Sequence, residues 1–202
     1  MPNGKLEIPI LSYDNLRSIA TRFLNEHHPK GGLPIPIERI VEYELNIDIS
    51  PEMSIQYVCD IDAFINPKCT TIYVDSEVYM SPNANRFRFS LAHEVAHYVL
   101  HRNVMSQLNF ATMAEWKSVH ASIPKEQHEW LEWQAHSLGG LILVPEASLA
   151  AEFAKATRIV EAENTLANDK DVMKYAVEGH LAEAFSISRE IIQRRCVKDG
   201  LC

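Results

Sequence analysis

Basic residues are in short supply. The 202 residues hold 19 Lys plus Arg against 27 Asp plus Glu, a formal net charge of −8, and that balance excludes a protein whose main business is holding a polyanion such as DNA, short of a local basic patch. Cysteine is sparse too: Cys59, Cys69, Cys196 and Cys202 form no CxxC pair, which predicts free thiols in a cytoplasmic protein. The opening MPNGKLEIPILSYDN lacks a cationic segment leading into a long apolar run, so no secretory leader is expected. The longest apolar stretch, Leu141 to Val144 after two glycines, falls far short of the ~20 residues that span a bilayer, and no membrane partner is expected. No linker rich in Gly or Ser, internal repeat or low-complexity run divides the chain. What is there is ordinary globular balance, 47% hydrophobic and 23% charged, which predicts one domain or one with a small appendage. A chain this long removes roughly 70% of its unfolded surface from water, so a metal, if present, is functional and not a folding staple.

Leu16, Ile19, Ala20 and Phe23 at helical spacing predict a helix over about Asp14 to Glu26, ended by the His27-His28-Pro29-Lys30-Gly31-Gly32 punctuation. Leu33-Pro34-Ile35-Pro36 leads into a second helix with Ile37, Ile40, Val41 and Leu45 on one face. Ile55 to Ile65 and Cys69 to Asp75, rich in Ile, Val, Tyr and Thr around Asn66-Pro67-Lys68, predict a β-hairpin, preceded by a short strand at Ile47 to Ile49. Ser81-Pro82 offers an N-cap and first-turn proline to a helix running through about His101. A less regular stretch, Arg102 to Ile123, precedes a helix from Pro124 to about Leu143, closed by Pro145. Two or three helices follow. The expected class is α+β, mainly helical, with a small antiparallel sheet and a C-terminal helical segment.

His93-Glu94-Val95-Ala96-His97 is HExxH. On a helix the two histidines at i and i+4 share a face, where two imidazole nitrogens reach one Zn²⁺, and Glu94, about 100° round, can reach a water on the metal. With 9 His and 19 Glu in 202 residues, random order produces the pattern with a probability of about 0.04. Its context argues further against chance. Phe87, Leu91, Val95 and Val99 form an apolar stripe about 200° from the histidines, while Ala92 and Ala96 leave room for a neighbouring helix.

A catalytic zinc takes three protein ligands and keeps one position open, so a third is sought. His101 lies on the same face, but a metal bound by three successive turns of a straight helix would have to span ~12 Å; a helix C-terminal histidine favoured by the dipole is the simpler reading. The metzincin spacing puts Asn103 where a histidine is needed. Glu129 and Glu132 on the later helix can face the first one, or can be surface glutamates.

Arg86-Phe87-Arg88-Phe89-Ser90-Leu91-Ala92-His93-Glu94 with His97, then Glu132-Trp133-Gln134-Ala135 and Leu141-Ile142-Leu143-Val144-Pro145, resembles the ImmA/IrrE family of zinc metallo-endopeptidases. The resemblance is loose over about residues 14 to 195 and tight in these two blocks. It implies a zincin-like metallopeptidase domain over 1–150, a C-terminal helical extension over 151–202 packed on it, and Glu132 as third zinc ligand with Glu129 as fallback. The implied chemistry is peptide hydrolysis with Glu94 as general base, acting on a helix-turn-helix repressor to relieve repression in a mobile-element or stress-response setting. Two departures stand out. The family's usual Asn after Ala is His136, open to a role behind the ligands, as a transition-state hydrogen-bond donor, as a ligand or as a packed ring. Its usual small helical pair is Gly139-Gly140, costing ~1 kcal/mol each against Ala, which close helix packing would explain. The strand Cys69 to Asp75 is a plausible edge for an extended substrate.

Leu181 to Arg189 followed by Ile191, Ile192, Arg194 and Arg195 is spaced like a helix-turn-helix and would aim Ser188, Arg189 and Gln193 at a groove. Residues 176–202 balance four acids against four bases, so direct DNA binding is not expected and docking or packing is. The alternative function is a non-proteolytic regulator that binds a repressor or DNA. Residues 102–123, with Met105, Phe110, Met113 and Trp116, are read as either a substrate lid or a packed wall.

Overall fold

The computed structural model describes residues 6–163 and 169–201. Helix α1 (Tyr13–His27) starts at a reciprocal cap: Ser12 Oγ accepts from the Asn15 N–H at 3.2 Å and Asn15 Oδ1 accepts from the Ser12 N–H at 3.0 Å. Its Leu16, Ala20 and Phe23 are buried as their spacing requires. A short α2 (Ile37–Arg39) continues into a wider helical turn over Ile40–Glu44, burying Ile37, Ile40 and Val41.

The sheet is small and mixed, which corrects the expectation of an antiparallel one. Strand β1 (Asp48–Glu52) runs parallel to β3 (Thr71–Asp75), and β2 (Ala63–Ile65) runs antiparallel to it, in the order β1-β3-β2. The predicted strand over Ile55 to Ile65 is mostly not a strand. Ser54 and Asp60 take left-handed conformations and bracket a helical turn, α3 (Ile55–Cys59). The carboxylate of Asp75 captures the Gln56 N–H at 3.0 Å, holding that turn over the end of β3. Only Ala63–Ile65 remains to pair, joined to β3 by the expected turn, in which the Asn66 side chain accepts from the Thr70 N–H at 2.9 Å. β3 is therefore central, paired on both sides, and β1 and β2 are the edge strands; the expectation of a substrate edge at Cys69 to Asp75 is corrected accordingly.

After α4 (Ser76–Tyr79), the long helix α5 (Ala84–Met105) begins two residues later than the Ser81-Pro82 signal proposes, because the Asn83 side chain is the cap, accepting from the Asn85 N–H at 3.1 Å. It runs past His101. The stretch expected to be irregular contains α6 (Met113–Ala121), opened by a Thr112/Glu115 capping box. Helix α7 (Lys125–Leu143) matches its expected span, and α8 (Glu146–Glu163), α9 (Lys170–Phe185) and α10 (Arg189–Lys198) complete the chain.

α5 and α7 lie against each other at the centre, with α1 packed on α7 and β2 on α5. Leu16, Ile37, Ile72, Leu91, Leu138 and Leu181 belong to one continuous core. Two buried arginines tie segments that apolar packing alone leaves free to slide. Arg88 on α5 donates to the Ile35 carbonyl at 2.7 Å and the Ser186 carbonyl at 3.1 Å and pairs with Glu38. Arg195 on α10 donates to the Gly140 carbonyl at 3.0 Å and to the Val144 carbonyl, and pairs with Asp199. It thereby adds a donor at the C-terminal end of α7, where the last carbonyls run short of partners; the Gly140 carbonyl also accepts the Val144 N–H at 3.0 Å. Arg17 of α1 reaches Asp199 at 2.7 Å and Glu146 at 2.9 Å.

The residues of the helix-turn-helix reading are engaged within the chain. Arg189 stacks over the Tyr175 ring at 3.5 Å, Gln193 donates to Glu178 at 2.7 Å, and Ser188 caps α10. Among the described residues no single helix is long and apolar enough to cross a membrane. Burial pushes the Cys59 and Cys69 thiols up. Cys196 is buried, and Cys202 lies outside the described residues.

Candidate metal centre

The site is built where α5 and α7 come closest. A Cβ placed on Gly139 would lie 3.1 Å from Ala92 C and His93 N and 3.2 Å from Ala92 O, so the backbones meet where a side chain does not fit. Gly139 thus has the packing reason its position calls for. Gly140 does not share it, since a Cβ there would meet only Ile191 Cγ2 at 4.0 Å.

The close approach brings Glu132 of α7 over the HExxH face of α5. Glu132 Oε2 lies 3.1 Å from His93 Nε2, Glu132 Oε1 lies 3.6 Å from His97 Nε2, and the two imidazole Nε2 atoms are 3.1 Å apart. These three residues offer ligand atoms all within 4.8 Å of one another, a group that could hold one metal ion. Burial works against a charge on His93, but its hydrogen bond to Glu132 and the nearby Glu94 carboxylate outweigh that and hold its pKa above the ordinary value. Burial, with His93 beside it, holds the His97 pKa well below the ordinary histidine range. Burial also opposes the Glu132 charge, yet the His93 hydrogen bond and the two imidazoles hold its carboxyl well below the usual carboxylate range.

Glu94 is buried and turned toward the sheet. Its Oε2 accepts the Ile65 N–H of β2 at 2.8 Å, and burial raises its pKa to about 7. The same face opens into a cleft of about 660 Å³ whose walls include Ala63–Ile65 of β2, Phe89, Trp116, His120, Ile123 and His128. The wall from residues 102–123 is packed: Met105 and Phe110 are buried, and Trp116 stacks on His120 with ring centres 4.0 Å apart. β2 is pinned to α5 from its other end, where Arg86 clamps Asp62 through two 2.7 Å hydrogen bonds.

Residues 73–197 match the family model of the IrrE N-terminal-like domain, a peptidase family. The chain belongs to that family. No curated protein matches the chain at a significant level. Among solved structures, a Mycobacterium tuberculosis transcriptional regulator is similar in fold, with a TM-score of 0.50 and 16% identity over 90% of this chain. The chain spans about half, 46%, of that protein's length.

In this IrrE-like domain the structure brings His93, Glu94, His97 and Glu132 together and sets the other candidates apart. Glu129, one turn earlier on α7, is exposed and pairs with Lys125 at 3.7 Å. His136 lies outside the cleft, its ring packed on Phe89 at 4.9 Å and its Nε2 facing Arg194 Nη1 at 3.4 Å. His101 is not a solvent-facing helix end, and it lies outside the His93-His97-Glu132 group. It is fully buried behind His97, with Nδ1 to Nδ1 at 3.1 Å, and touches Gln134 Oε1 at 3.3 Å. Sequence reasoning missed Gln134, His120 and His128 as neighbours of the site. His128 stands four before Glu132 on α7, on the same face, which is the signal that could have found it; Gln134, two residues after Glu132 and about 200° round the helix, has none, and neither does His120.

Proposed function

We propose that this IrrE-family protein is a zinc-dependent endopeptidase that hydrolyses a peptide bond in a protein substrate, a helix-turn-helix transcriptional repressor, and so relieves repression in the cytoplasm. The observation that carries the reading is the convergence, in one cleft, of a His-His-Glu ligand group with a buried carboxylate and a strand edge. Two imidazoles and a carboxylate are a catalytic zinc set. Tetrahedral coordination at about 2.0–2.1 Å spaces ligand atoms about 3.3–3.4 Å apart; the two imidazole Nε2 atoms lie 3.1 Å apart, and one oxygen of Glu132 completes a set of ligand atoms all within 4.8 Å of one another. His93, His97 and Glu132 would hold the ion, and residues 151–202 would serve as an extension buttressing α7.

Zinc, when bound, acidifies water and polarises a carbonyl oxygen. The chain does the rest. Ile65 occupies Glu94 Oε2, so Oε1 is the atom left to take a proton from the attacking water and to return it to the leaving amine. A pKa near 7 suits a base that must both accept and release at neutral pH. In antiparallel pairing alternate residues face the partner strand. The Asn66 N–H bonds to Thr71 and the Asp62 carbonyl to Asp75, so Ala63 and Ile65 turn their backbone groups away from β3. Ile65 spends its N–H on Glu94. Ala63 and the Ile65 carbonyl remain to receive an extended peptide as an added strand.

The test is metal content by plasma mass spectrometry on protein purified without an affinity metal, joined to cleavage of a candidate repressor by wild type and Glu94→Gln. About one zinc per chain, with cleavage lost and repressor binding kept in the variant, supports the reading. A variant that relieves repression in full points to a non-proteolytic regulator instead.

A further inference from the structure

His101 and Gln134 are fully buried polar residues that the hydrolytic scheme leaves unused. They link the candidate ligand His97 to the N-terminal segment through consecutive hydrogen bonds. The Pro9 carbonyl accepts from Gln134 Nε2 at 2.7 Å and from Trp130 Nε1 at 3.2 Å. Gln134 Oε1 lies 3.3 Å from His101 Nε2, and His101 Nδ1 lies 3.1 Å from His97 Nδ1.

The polarity of this chain is determined from its far end. A carbonyl oxygen only accepts, so the Gln134 amide must turn its nitrogen to Pro9 and its oxygen to His101. That oxygen requires the proton on His101 Nε2. A neutral imidazole protonated at Nε2 carries its lone pair at Nδ1, so the proton between the two rings belongs to His97 Nδ1. His97 then presents a lone pair at Nε2, the atom facing His93 and Glu132. Reversing any one link would set two lone pairs against each other at about 3 Å in a buried place, where an unsatisfied polar group costs the most.

We propose that Gln134 and His101 are positioning residues: anchored on Pro9, they hold His97 in the Nδ1–H tautomer with its ring fixed, so that Nε2 is presented to the metal before the metal arrives. The proposal rests on the reading of His97 as a metal ligand. Metal-binding histidines are commonly held through their second nitrogen by a carboxylate, carbonyl or water; here a second imidazole and a carboxamide serve. The segment around Pro9 thereby becomes part of the metal centre, although its sequence carries no ligand.

Two measurements decide it. In ¹⁵N-labelled, metal-free protein at pH 8, histidine ring ¹H–¹⁵N correlation is expected to show His97 protonated at Nδ1 and His101 at Nε2. In Gln134→Leu both rings are expected to lose that fixed assignment, and Zn²⁺ affinity, measured by competition with a chromophoric chelator, is expected to fall about 10- to 100-fold. A wild-type His97 protonated at Nε2 overturns the proposal, as does a Gln134→Leu affinity within about twofold of wild type. The ring spectrum needs neither metal nor a variant. Failure of wild type to bind Zn²⁺ with His97 already in the Nδ1–H form would therefore overturn the endopeptidase reading while supporting the tautomer chain.

Discussion

Gly139 and Gly140 are neighbours in the same helix, and the structure assigns opposite signs to the same substitution at the two positions. Replacing either by alanine gains helix propensity, about 1 kcal/mol. At Gly140 nothing opposes the gain: the new methyl would meet Ile191 Cγ2 at 4.0 Å, an ordinary contact, so Gly140→Ala is expected to stabilise by about 0.5–1 kcal/mol. At Gly139 the methyl would sit 3.1–3.2 Å from three atoms of the Ala92–His93 peptide. Those atoms belong to a helix hydrogen-bonded on both sides and cannot rotate aside as a side-chain tip does, so α7 must move off α5 by a few tenths of an ångström. Overpacking of this kind costs about 1–3 kcal/mol, which exceeds the propensity gain and leaves Gly139→Ala destabilised by about 1 kcal/mol. For a chain of this size each kcal/mol moves Tm by about 2–4 °C.

The displacement also has a functional signature. The strained contact includes His93 N, and Glu132 stands two turns along α7 from Gly139, so separating the helices pulls the carboxylate away from the imidazoles. Urea denaturation followed by far-ultraviolet circular dichroism reads the stability; chelator competition reads the affinity for Zn²⁺. Gly139→Ala is expected to lose both and Gly140→Ala to lose neither. A Gly139→Ala protein as stable as Gly140→Ala, with undiminished affinity, would refute the claim that backbone contact at Ala92 sets the spacing of the ligands.

Three further outcomes are expected. In protein stripped of metal, Glu94→Gln keeps an oxygen for the Ile65 N–H. Native Glu94 holds its proton up to about pH 7 against an ordinary 4.5, so its favourable contribution is complete below 4.5 and lost as pH rises through 7. The variant should match wild type at pH 4.5 and exceed it at pH 8.5 by at most about 3 kcal/mol, read from urea midpoints in chelator; equal midpoints at the higher pH would count against it. Glu132→Ala should abolish stoichiometric zinc while Glu129→Ala, on the Lys125 side of α7, retains it, as metal analysis after dialysis would show. Arg195→Met leaves the Val144 carbonyl without its donor, while Asp199 keeps Arg17 at 2.7 Å and the Gly140 carbonyl keeps the Val144 N–H at 3.0 Å, so a cost of about 1–3 kcal/mol is expected; amide exchange at the end of α7 should accelerate, and unchanged protection there would contradict the bracing role.

Helical periodicity made α1 legible, because Leu16, Ala20 and Phe23 bury one face whose spacing a local reading can see, and bounding prolines marked α7. The short turn α3 was illegible for a reason just as physical. Its residues carry β-rich composition, but left-handed Ser54 and Asp60 are not glycines, and the hydrogen bond that stabilises the turn comes from Asp75, far along the chain. The ligands divide in the same way. His93 and His97 announce themselves by spacing within one helix, whereas Glu132 and Glu129 differ by less than one helical turn and share a residue type. Only the contact of α7 with α5 distinguishes them, and family resemblance, not periodicity, picks Glu132 from sequence.

The long helix α5 shows why a functional helix can hide its own amphipathicity. Leu91 and Val95 face the core, Ala92 and Ala96 lie in the same buried core as Gly139 and α7, and His93, Glu94 and His97 line the cleft. A helix buried on several sides has no single polar face to stand out in its pattern. Its buried polar residues are therefore not explained by solvent, and they have partners: Arg88 with Ile35 and Ser186, Ser90 with the Arg86 carbonyl, Glu94 with Ile65, and His101 with Gln134. A run of polar groups on a helix this deeply buried is costly unless every one is satisfied. Here they are satisfied by elements from both ends of the sequence, from the Ile35 segment to the Ser186 turn. In the buried middle of α5, between exposed Arg86 and exposed Arg102, the cleft is where polarity is directed toward whatever the ligand group and Glu94 act upon.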